Sequence, residues 1–301
     1  MTRAVVFAYH NVGVRCLKVL LAHGIDVALV VTHQDNPNEQ IWFDSVAETA
    51  ARYGLPVITP DDPNADAILG DIAALKPDFL FSFYYRLMLK APLLAIARRG
   101  AYNMHGSLLP KYRGRVPVNW AVLHGERETG ATLHRMVEKP DAGEIIRQQP
   151  VPILPDDTAK EVFDKVTLAA EMCLDGVLPA LIAGTAPHVA QNLALGGYFG
   201  GRKPEDGRID WLRPAAEIHN LVRAVAPPYP GAFCDTARGR LRVLHTLPAA
   251  DMAAGPPALH AAGGMIYASC GDGGVLRLLA AELDGLPLTA DVLGTDTIFL
   301  T

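Results

Sequence analysis

The first 85 residues alternate short apolar runs with segments of helical periodicity, and this alternation restricts the fold more than any other feature. The runs AVVFAY (4–9), VALVVTH (27–33) and DFLFSFYY (78–85) are typical of buried parallel strands. Segments with helical spacing lie between them and end at glycine or proline, as helices do. Strands and helices that alternate over short connections predict a parallel, Rossmann-like α/β sheet with helices on both faces.

The rest of the sequence indicates a second, smaller domain. After residue 117, a helix-like segment precedes two strand-like runs at 129–137 and 144–153, which are joined by the turn-forming residues EKPDAG. A long amphipathic segment follows, and the composition then becomes glycine-rich and polar in LGGYFGGRKPEDG. We therefore predict an α/β domain over 1–190, a linker over 191–204 and a β-rich, barrel-like domain over 205–301.

Composition and charge limit the partners of the chain. Half of the 301 residues are hydrophobic and the formal net charge is −5, which disfavours a nucleic acid or an anionic membrane as partner. No apolar run reaches the roughly 20 residues of a membrane span, and the N-terminus lacks the pattern of a signal peptide. The cysteines are too far apart to predict a zinc site or a disulfide framework. We expect a cytoplasmic protein without a bound metal. The cysteines are Cys16, Cys173, Cys234 and Cys270.

Three polar residues between positions 103 and 141 can support acyl-transfer chemistry. Asn103 and His105 are two residues apart, so an extended segment places both side chains on one face. Asp141 lies in the predicted turn, where its carboxylate can raise the pKa of a neighbouring histidine and fix its tautomer. An asparagine amide can donate to a developing oxyanion. The spacing alone leaves open the alternative that His105 is a structural or solvated residue.

Other polar residues give less specific signals. Lys111, Arg113 and Arg115 are either solvated or grip an anionic ligand. The sequence has no GxSxG, no GxGxxG after the first strand and no P-loop, which disfavours a serine hydrolase, a dinucleotide-binding protein and a P-loop enzyme. Ligands of parallel sheets bind beyond the carboxyl ends of the strands. The residues predicted at such ends are His10, Tyr84, Tyr85 and Arg86. The histidines expected to be surface or otherwise satisfied residues are His23, His33, His124 and His134.

Residues 103–146, NMHGSLLPKYRGRVPVNWAVLHGERETGATLHRMVEKPDAGEII, resemble the active-site region of the 10-formyltetrahydrofolate-dependent formyltransferases. The pattern of that family is Asn-x-His, then SLLP-x-YRG, then D-x-G, and all three parts are present. The resemblance implies a Rossmann-like N-terminal domain, an OB-like C-terminal domain and 10-formyltetrahydrofolate as co-substrate, with no metal.

The resemblance also implies roles for individual residues. His105 would be the general base or proton shuttle on the attacking amine, Asn103 would stabilise the oxyanion, and Asp141 would raise the pKa of His105. From the residues alone, 87–89 look like ordinary core, so only the resemblance points to them as folate contacts. The folate contacts that it implies are Leu87, Met88, Leu89, Arg115, Val137, Glu138, Lys139, Pro140 and Asp141.

One branch of the family is matched outside the active-site region. VVFAYHNVG, VTHQDNPNE and FSFYYR resemble the enzymes that formylate UDP-4-amino-4-deoxy-L-arabinose in polymyxin resistance, and DGRIDW and HNLVRAVAPPYPGAF match their C-terminal domain. The resemblance therefore implies a nucleotide-sugar substrate and a role in lipid A modification. That branch carries a decarboxylase half, which this 301-residue chain lacks, so we expect a separate decarboxylase; a homo-oligomer is an open possibility.

Three alternatives remain open at this point. The acceptor can be a dTDP-linked amino-hexose, or the chain can be a methionyl-tRNA formyltransferase. From residue 205 on, 7 arginines oppose 11 acidic residues, a net charge of −4, which disfavours tRNA binding. The third alternative is a non-catalytic folate- or nucleotide-binding protein. Candidate contacts for the nucleotide are Tyr229, Trp211 and Asn119.

Overall fold

The computed structural model describes residues 1–37, 39–249 and 255–300. Asn38, within the VTHQDNPNE motif, lies outside the described residues. The strands are β1 Arg3–Ala8, β2 Asp26–Val31, β3 Val57–Ile58, β4 Phe79–Phe83, β5 Ala101–His105, β6 Arg113–Gly114, β7 Glu128–Arg135, β8 Ile145–Pro152, β9 Tyr198–Phe199, β10 Ala232–Thr236, β11 Gly239–Pro248, β12 Ala258–Ala262, β13 Met265–Ser269, β14 Val275–Leu283, β15 Leu286–Pro287 and β16 Ile298–Phe299. The helices are α1 His10–Ala22, α2 Val46–Arg52, α3 Asp66–Ala74, α4 Ala91–Leu94, α5 Pro117–Leu123, α6 Ala159–Ala183, α7 Ala215–Val225 and α8 Ala290–Leu293.

The chain divides into two compact units. Unit 1 comprises Met1–Pro117, Glu128–Pro152 and Phe163–Gly200, and unit 2 comprises Val118–Arg127, Ile153–Val162 and the described part of Gly201–Thr301. The domain boundaries expected from the sequence stay predictions. The structure adds that two short segments before residue 163 belong to unit 2.

Unit 1 contains a seven-stranded sheet in the order β3-β2-β1-β4-β5-β7-β8. The first five strands are parallel, which confirms the α/β class expected from the alternating pattern. Strands β7 and β8 extend the sheet in antiparallel fashion, so one edge is mixed where the sequence predicted a parallel sheet. The physical reason is that only a short loop joins β7 to β8, which is too short for a parallel crossover.

The register of the central strands brings their carboxyl ends together. Ala8 of β1 pairs with Phe83 of β4, and Phe83 pairs with Met104 of β5. The residues that follow these partners, at positions 9–10, 84 and 105, therefore lie along one edge of the sheet. This is the edge at which ligands of open α/β sheets bind.

Helix α6 packs one apolar face into unit 1 and exposes charged residues elsewhere. Val166, Ala170, Cys173 and Leu174 recur at helical spacing and are almost fully buried. Among the described residues, α6 is long and apolar enough to cross a membrane by length and composition, and half of its apolar window is buried. A core helix of a sheet domain has the same properties.

Unit 2 is built on an antiparallel, barrel-like sheet in the order β10-β11-β14-β13-β12-β16, with β15 beside β14. Helix α7 covers its core with Ile218 and Val222. Trp211 belongs to that core and has no accessible surface, and its indole N–H donates to the sulfur of Cys234. The β-rich class predicted for the C-terminal part of the chain is thus confirmed.

Candidate active site

Strand β5 and the loop after β7 bring the three predicted catalytic residues together. Asn103 and His105 are at alternate positions of β5, so both side chains leave the same face of the strand, as predicted. Asn103 pairs directly with His134 of the antiparallel strand β7. The chain then turns through 136–144 and returns Asp141 to this face. We refer to Asn103, His105, His134 and Asp141 as the Asp141 cluster.

The Asp141 carboxylate is the centre of this cluster. Its Oδ1 lies 3.5 Å from His105 Nδ1, 3.4 Å from His134 Nε2 and 3.5 Å from Asn103 Nδ2. Its Oδ2 accepts a hydrogen bond of 2.9 Å from the backbone N–H of Gly114. The side chain is only 14% exposed, so this carboxylate is held close to two imidazoles away from bulk water.

The charge state of Asp141 follows from these neighbours. Burial by itself raises the pKa of a carboxyl group, because it penalises the charged form. Here the charge of His105, the hydrogen bond and charge of His134, and the Gly114 N–H together outweigh burial and hold the pKa of Asp141 well below its usual range. Asp141 is therefore a permanent anion at physiological pH, and a positive charge on either imidazole is stabilised beside it.

The hydrogen-bond partners define which nitrogen of His105 is basic. Nε2 lies 2.8 Å from the carbonyl oxygen of Tyr112, which only accepts, so Nε2 carries the proton. In the neutral imidazole the lone pair is then on Nδ1, the nitrogen that faces Asp141. The sequence predicts that Asp141 fixes the tautomer of His105, whereas in the structure the Tyr112 carbonyl does so.

His134 and Asn103 complete the cluster. Nδ1 of His134 donates to the carbonyl oxygen of Arg135 at 3.0 Å, and Nε2 lies 3.2 Å from Asn103 Nδ2. Neutral His134 therefore accepts one amide hydrogen of Asn103, while protonated His134 donates to Asp141. The second amide hydrogen of Asn103 makes only the 3.5 Å contact to Asp141, which is weak and leaves that hydrogen available to a ligand.

The loop that carries Asp141 is fixed by its backbone. Asp141 has a left-handed conformation with φ of +52°, and a Cβ on Gly143 would clash with the carbonyl oxygen of Arg135, so glycine is required there. Gln191 Nε2 donates to the carbonyl oxygens of Asp141 at 3.1 Å and Gly143 at 2.6 Å. These contacts explain the D-x-G spacing and add Gln191, which the sequence analysis placed in a linker.

The predicted folate residues differ in exposure. Leu87, Met88 and Val137 are 40%, 55% and 44% exposed, and Leu89 is buried in the core of unit 1. The reading of 87–89 as ordinary core is therefore wrong for the first two residues, which follow the end of β4 and point apolar surface outward. Arg115, Glu138 and Lys139 are exposed, and Pro140 is half-buried.

The three cations near the cluster are not equivalent. Arg113 is buried, and its guanidinium lies 3.3 Å from the carbonyl oxygen of Gly196 and 3.5 Å from that of Leu193. It therefore holds the 193–196 segment, so Arg113 is not solvated, and the alternative in which all three cations grip an anion does not describe it either. Lys111 and Arg115 are exposed. The reach of the Arg113 side chain to carbonyls eighty residues away left no signal in the sequence.

The other residues singled out in the sequence have partners or burial of their own. His134 has hydrogen-bond partners, as expected, and they include Asn103 and Asp141 of the site itself. His23 pairs with Asp175, and His33 accepts from the backbone N–H of Arg86. Trp211 is fully buried, and Asn119 is buried with its amide donating to Ala224, so neither is placed to contact a nucleotide. Within the described residues, no group of three or more His, Cys, Asp or Glu side chains is arranged to hold a metal.

Comparison with known families identifies both parts of the chain. Residues 5–178 match the model of the formyl transferase family, and residues 202–291 match the model of the formyl transferase C-terminal domain. The first match alone covers more than half of the 301 residues.

Solved structures with the same fold include sugar-modifying enzymes. One is the N-formyltransferase from Helicobacter canadensis in complex with folinic acid and dTDP-3-aminofucose, with 22% identity, a TM-score of 0.74 and coverage of 92% of this chain and 99% of that one. Another is WlaRD, a sugar 3N-formyl transferase with dTDP and 5-N-formyl-THF, with 20% identity, a TM-score of 0.72 and coverage of 92% and 97%.

A third structure is part of a longer protein. HypX from Aquifex aeolicus, in complex with tetrahydrofolic acid, is 18% identical with a TM-score of 0.64, and the match covers 97% of this chain and 47% of HypX. At these identities the likeness establishes the fold, and the family models establish the membership. The chain, which holds the complete Asn-x-His and D-x-G pattern around one buried carboxylate, belongs to the formyl transferase family.

Proposed function

We propose that this formyltransferase transfers the formyl group of 10-formyltetrahydrofolate to the 4-amino group of UDP-4-amino-4-deoxy-L-arabinose. The observation that carries the proposal is the Asp141 cluster, in which a buried anion faces the basic nitrogen of His105 and the amide of Asn103. These are the groups that attack of an amine on an acyl carbon requires, namely a base, a donor to the oxyanion and a counter-charge.

The chemistry of each residue follows from its contacts. The sugar amine forms a bond to the formyl carbon, and Nδ1 of His105 takes the amine proton. The free hydrogen of the Asn103 amide stabilises the negative charge that develops on the formyl oxygen. Asp141 stabilises the resulting imidazolium, which then protonates the nitrogen of the departing folate as the carbon–nitrogen bond breaks. No covalent bond to the enzyme is formed.

The residues expected to hold the formyl donor fit a flat aromatic ligand with a polar edge. The apolar side chains of Leu87, Met88 and Val137 are exposed, although contact of apolar groups of this size with water is unfavourable. Arg115 is exposed, and its guanidinium is a cation for the anionic part of the donor.

The acceptor is assigned on the sequence around the first strand and the C-terminal unit. FAYHNVG and RAVAPPYPGAF resemble the UDP-pentose branch, and the acidic C-terminal unit disfavours tRNA. The relatives named above were solved with dTDP or dTDP-3-aminofucose, so a dTDP-linked amino-hexose is the second candidate. In our proposal the protein acts in the cytoplasm, a separate decarboxylase supplies the preceding oxidative step, and the product serves lipid A modification.

A formylation assay with three acceptors tests the assignment. Wild-type protein and 10-formyltetrahydrofolate are incubated with UDP-4-amino-4-deoxy-L-arabinose, a dTDP-amino-hexose or methionyl-tRNA, and formylated product is measured by mass. We expect turnover of the UDP-pentose with a kcat/KM at least tenfold above the other two. Preferred turnover of another acceptor would overturn the substrate, and absence of turnover with all three would overturn the function.

A further inference from the structure

Backbone strain marks a second group of residues at the sheet edge. Among the described residues, seven non-glycine residues have positive φ. One of them is Asp141, and another is Tyr112, whose carbonyl oxygen accepts from Nε2 of His105. Two more are His10, with φ of +66°, and Tyr84, with φ of +58°. A left-handed backbone is unfavourable for bulky side chains and persists mainly at functional sites. His10 follows β1 and Tyr84 follows β4, and β4 lies between β1 and β5 in the sheet.

Tyr84 reaches the catalytic strand through a close contact. A Cβ built on Gly106 would lie far inside van der Waals distance of the Tyr84 hydroxyl, and 3.1 Å from the ring carbon that bears it. The phenol therefore occupies the space of a side chain at position 106, and Gly106 directly follows His105. Only glycine at this position lets the Tyr84 hydroxyl come so near the catalytic base.

The Tyr84 ring is one side of an aromatic enclosure in unit 1. His10 is buried and stacks on Phe43 at 3.8 Å between ring centroids, and its ring meets Trp42 and Phe163 edge-on at 4.5 Å and 4.7 Å. Tyr84 meets Phe163 at 5.5 Å. His10 and Phe163 are buried, while Trp42, Phe43 and Tyr84 keep part of their surface accessible.

We propose that this enclosure seats the sugar ring of the acceptor and that Tyr84 contacts it directly, next to His105. The proposal rests on the proposed transfer to a nucleotide sugar. Partly exposed aromatic faces with one precisely placed hydroxyl are the combination that binds a ring carrying both C–H groups and hydroxyls. His10 acts as a positioning residue, because its buried ring holds Phe43 and Trp42 in place. These aromatic residues select the acceptor, whereas residues 87–89 and 137–141 bind the formyl donor.

The test compares two neighbouring tyrosines that undergo the same chemical change. Tyr84→Phe removes the hydroxyl beside Gly106. Tyr85→Phe removes the hydroxyl of the next residue, whose ring stacks on His33 at 4.1 Å and whose buried oxygen has no hydrogen-bond partner within the described residues. Calorimetry measures the Kd of the intact nucleotide sugar and of free UDP for wild-type protein and both variants. Steady-state assays give KM for acceptor and donor.

We expect Tyr84→Phe to weaken binding of the UDP-amino-sugar about tenfold and to leave the Kd of UDP and the KM of the donor within twofold. Tyr85→Phe should leave all four values within twofold. An unchanged Kd for the nucleotide sugar in Tyr84→Phe, or equal losses for UDP and the donor, would overturn the seat. If wild-type protein binds the nucleotide sugar without formylating it, the proposed function is overturned, while the Kd of Tyr84→Phe still tests the contact between Tyr84 and the sugar. Absence of binding to wild-type protein would overturn both proposals.

Discussion

Each unit of the chain buries a histidine near an aspartate, and only one of these pairs is arranged for chemistry. In unit 1 the His105 side chain is 7% exposed, and it faces Asp141, which is 14% exposed. In unit 2 the His219 side chain is also 7% exposed, but Asp156 at 3.6 Å is 55% exposed. Both nitrogens of His219 are held by neutral partners, Thr246 Oγ1 at 2.9 Å and the Pro155 carbonyl at 3.1 Å.

The difference lies in the carboxylate rather than in the histidine. Asp141 is withdrawn from water and held as an anion by several donors, so its field acts on His105 with little screening. Asp156 is largely solvated, and an exposed ion pair contributes little. Burial lowers the pKa of His219, because no buried anion offsets it. His219 is therefore neutral and joins Thr246 to Pro155 by hydrogen bonds. In this chain the burial of the carboxylate, and not that of the imidazole, distinguishes the two pairs.

Removal of His105 should have the largest effect. Because His105→Ala deletes the base and the donor of the returning proton, we expect kcat to fall by about 10²–10⁴-fold. Steady-state formylation assays measure the loss, and circular dichroism checks that the fold is retained. Turnover like that of wild-type protein would remove His105 from the mechanism.

Neutralising the carboxylates should separate the two pairs. Asp141→Asn keeps the shape of the side chain but removes the charge that stabilises the imidazolium, and we expect kcat to fall on the order of 10²-fold. Asp156→Asn is the matched change beside His219, and it should leave kcat unchanged and stability within about 0.5 kcal/mol. Equal effects of the two substitutions on kcat would contradict the distinction drawn between them.

Removal of His219 should act on stability and not on turnover. His219→Ala leaves the Thr246 hydroxyl and the Pro155 carbonyl without their shared partner in a buried region, which we expect to cost about 2 kcal/mol of unfolding free energy. Urea denaturation measures this loss. The kcat of the folded variant should stay within twofold, and a loss of kcat like that of His105→Ala would place His219 in the active site.

Sequence reasoning reached the residues whose positions depend on local structure. The spacing of Asn103 and His105 on one strand, and the turn that carries Asp141, place these side chains without knowledge of distant contacts. His134 joins them through the antiparallel register of β5 and β7, and Gln191 through contacts with a loop fifty residues earlier. Such long-range pairings leave no local pattern. The same applies to Arg113, whose buried guanidinium looked like a surface charge.

The smallest expected effect is a difference in pH dependence between the two kinds of buried group. Burial lowers the pKa of His219. Below the ordinary histidine pKa of about 6.5 the unfolded chain therefore binds a proton that the folded chain does not bind, and the stability decreases as the pH is lowered. His33 acts in the same direction in unit 1, where burial and Arg86 lower its pKa to about 4. The lowered pKa of Asp141 removes stability only below about pH 4, because the unfolded carboxyl group must first become protonated. Tm measured between pH 6.5 and 4.5 should therefore fall less in His219→Gln and in His33→Gln than in wild-type protein, by about 1–2 °C each. Asp141→Asn should keep the wild-type slope over this range, and a flattened slope in that variant would mean that Asp141 takes up a proton on unfolding well above pH 4.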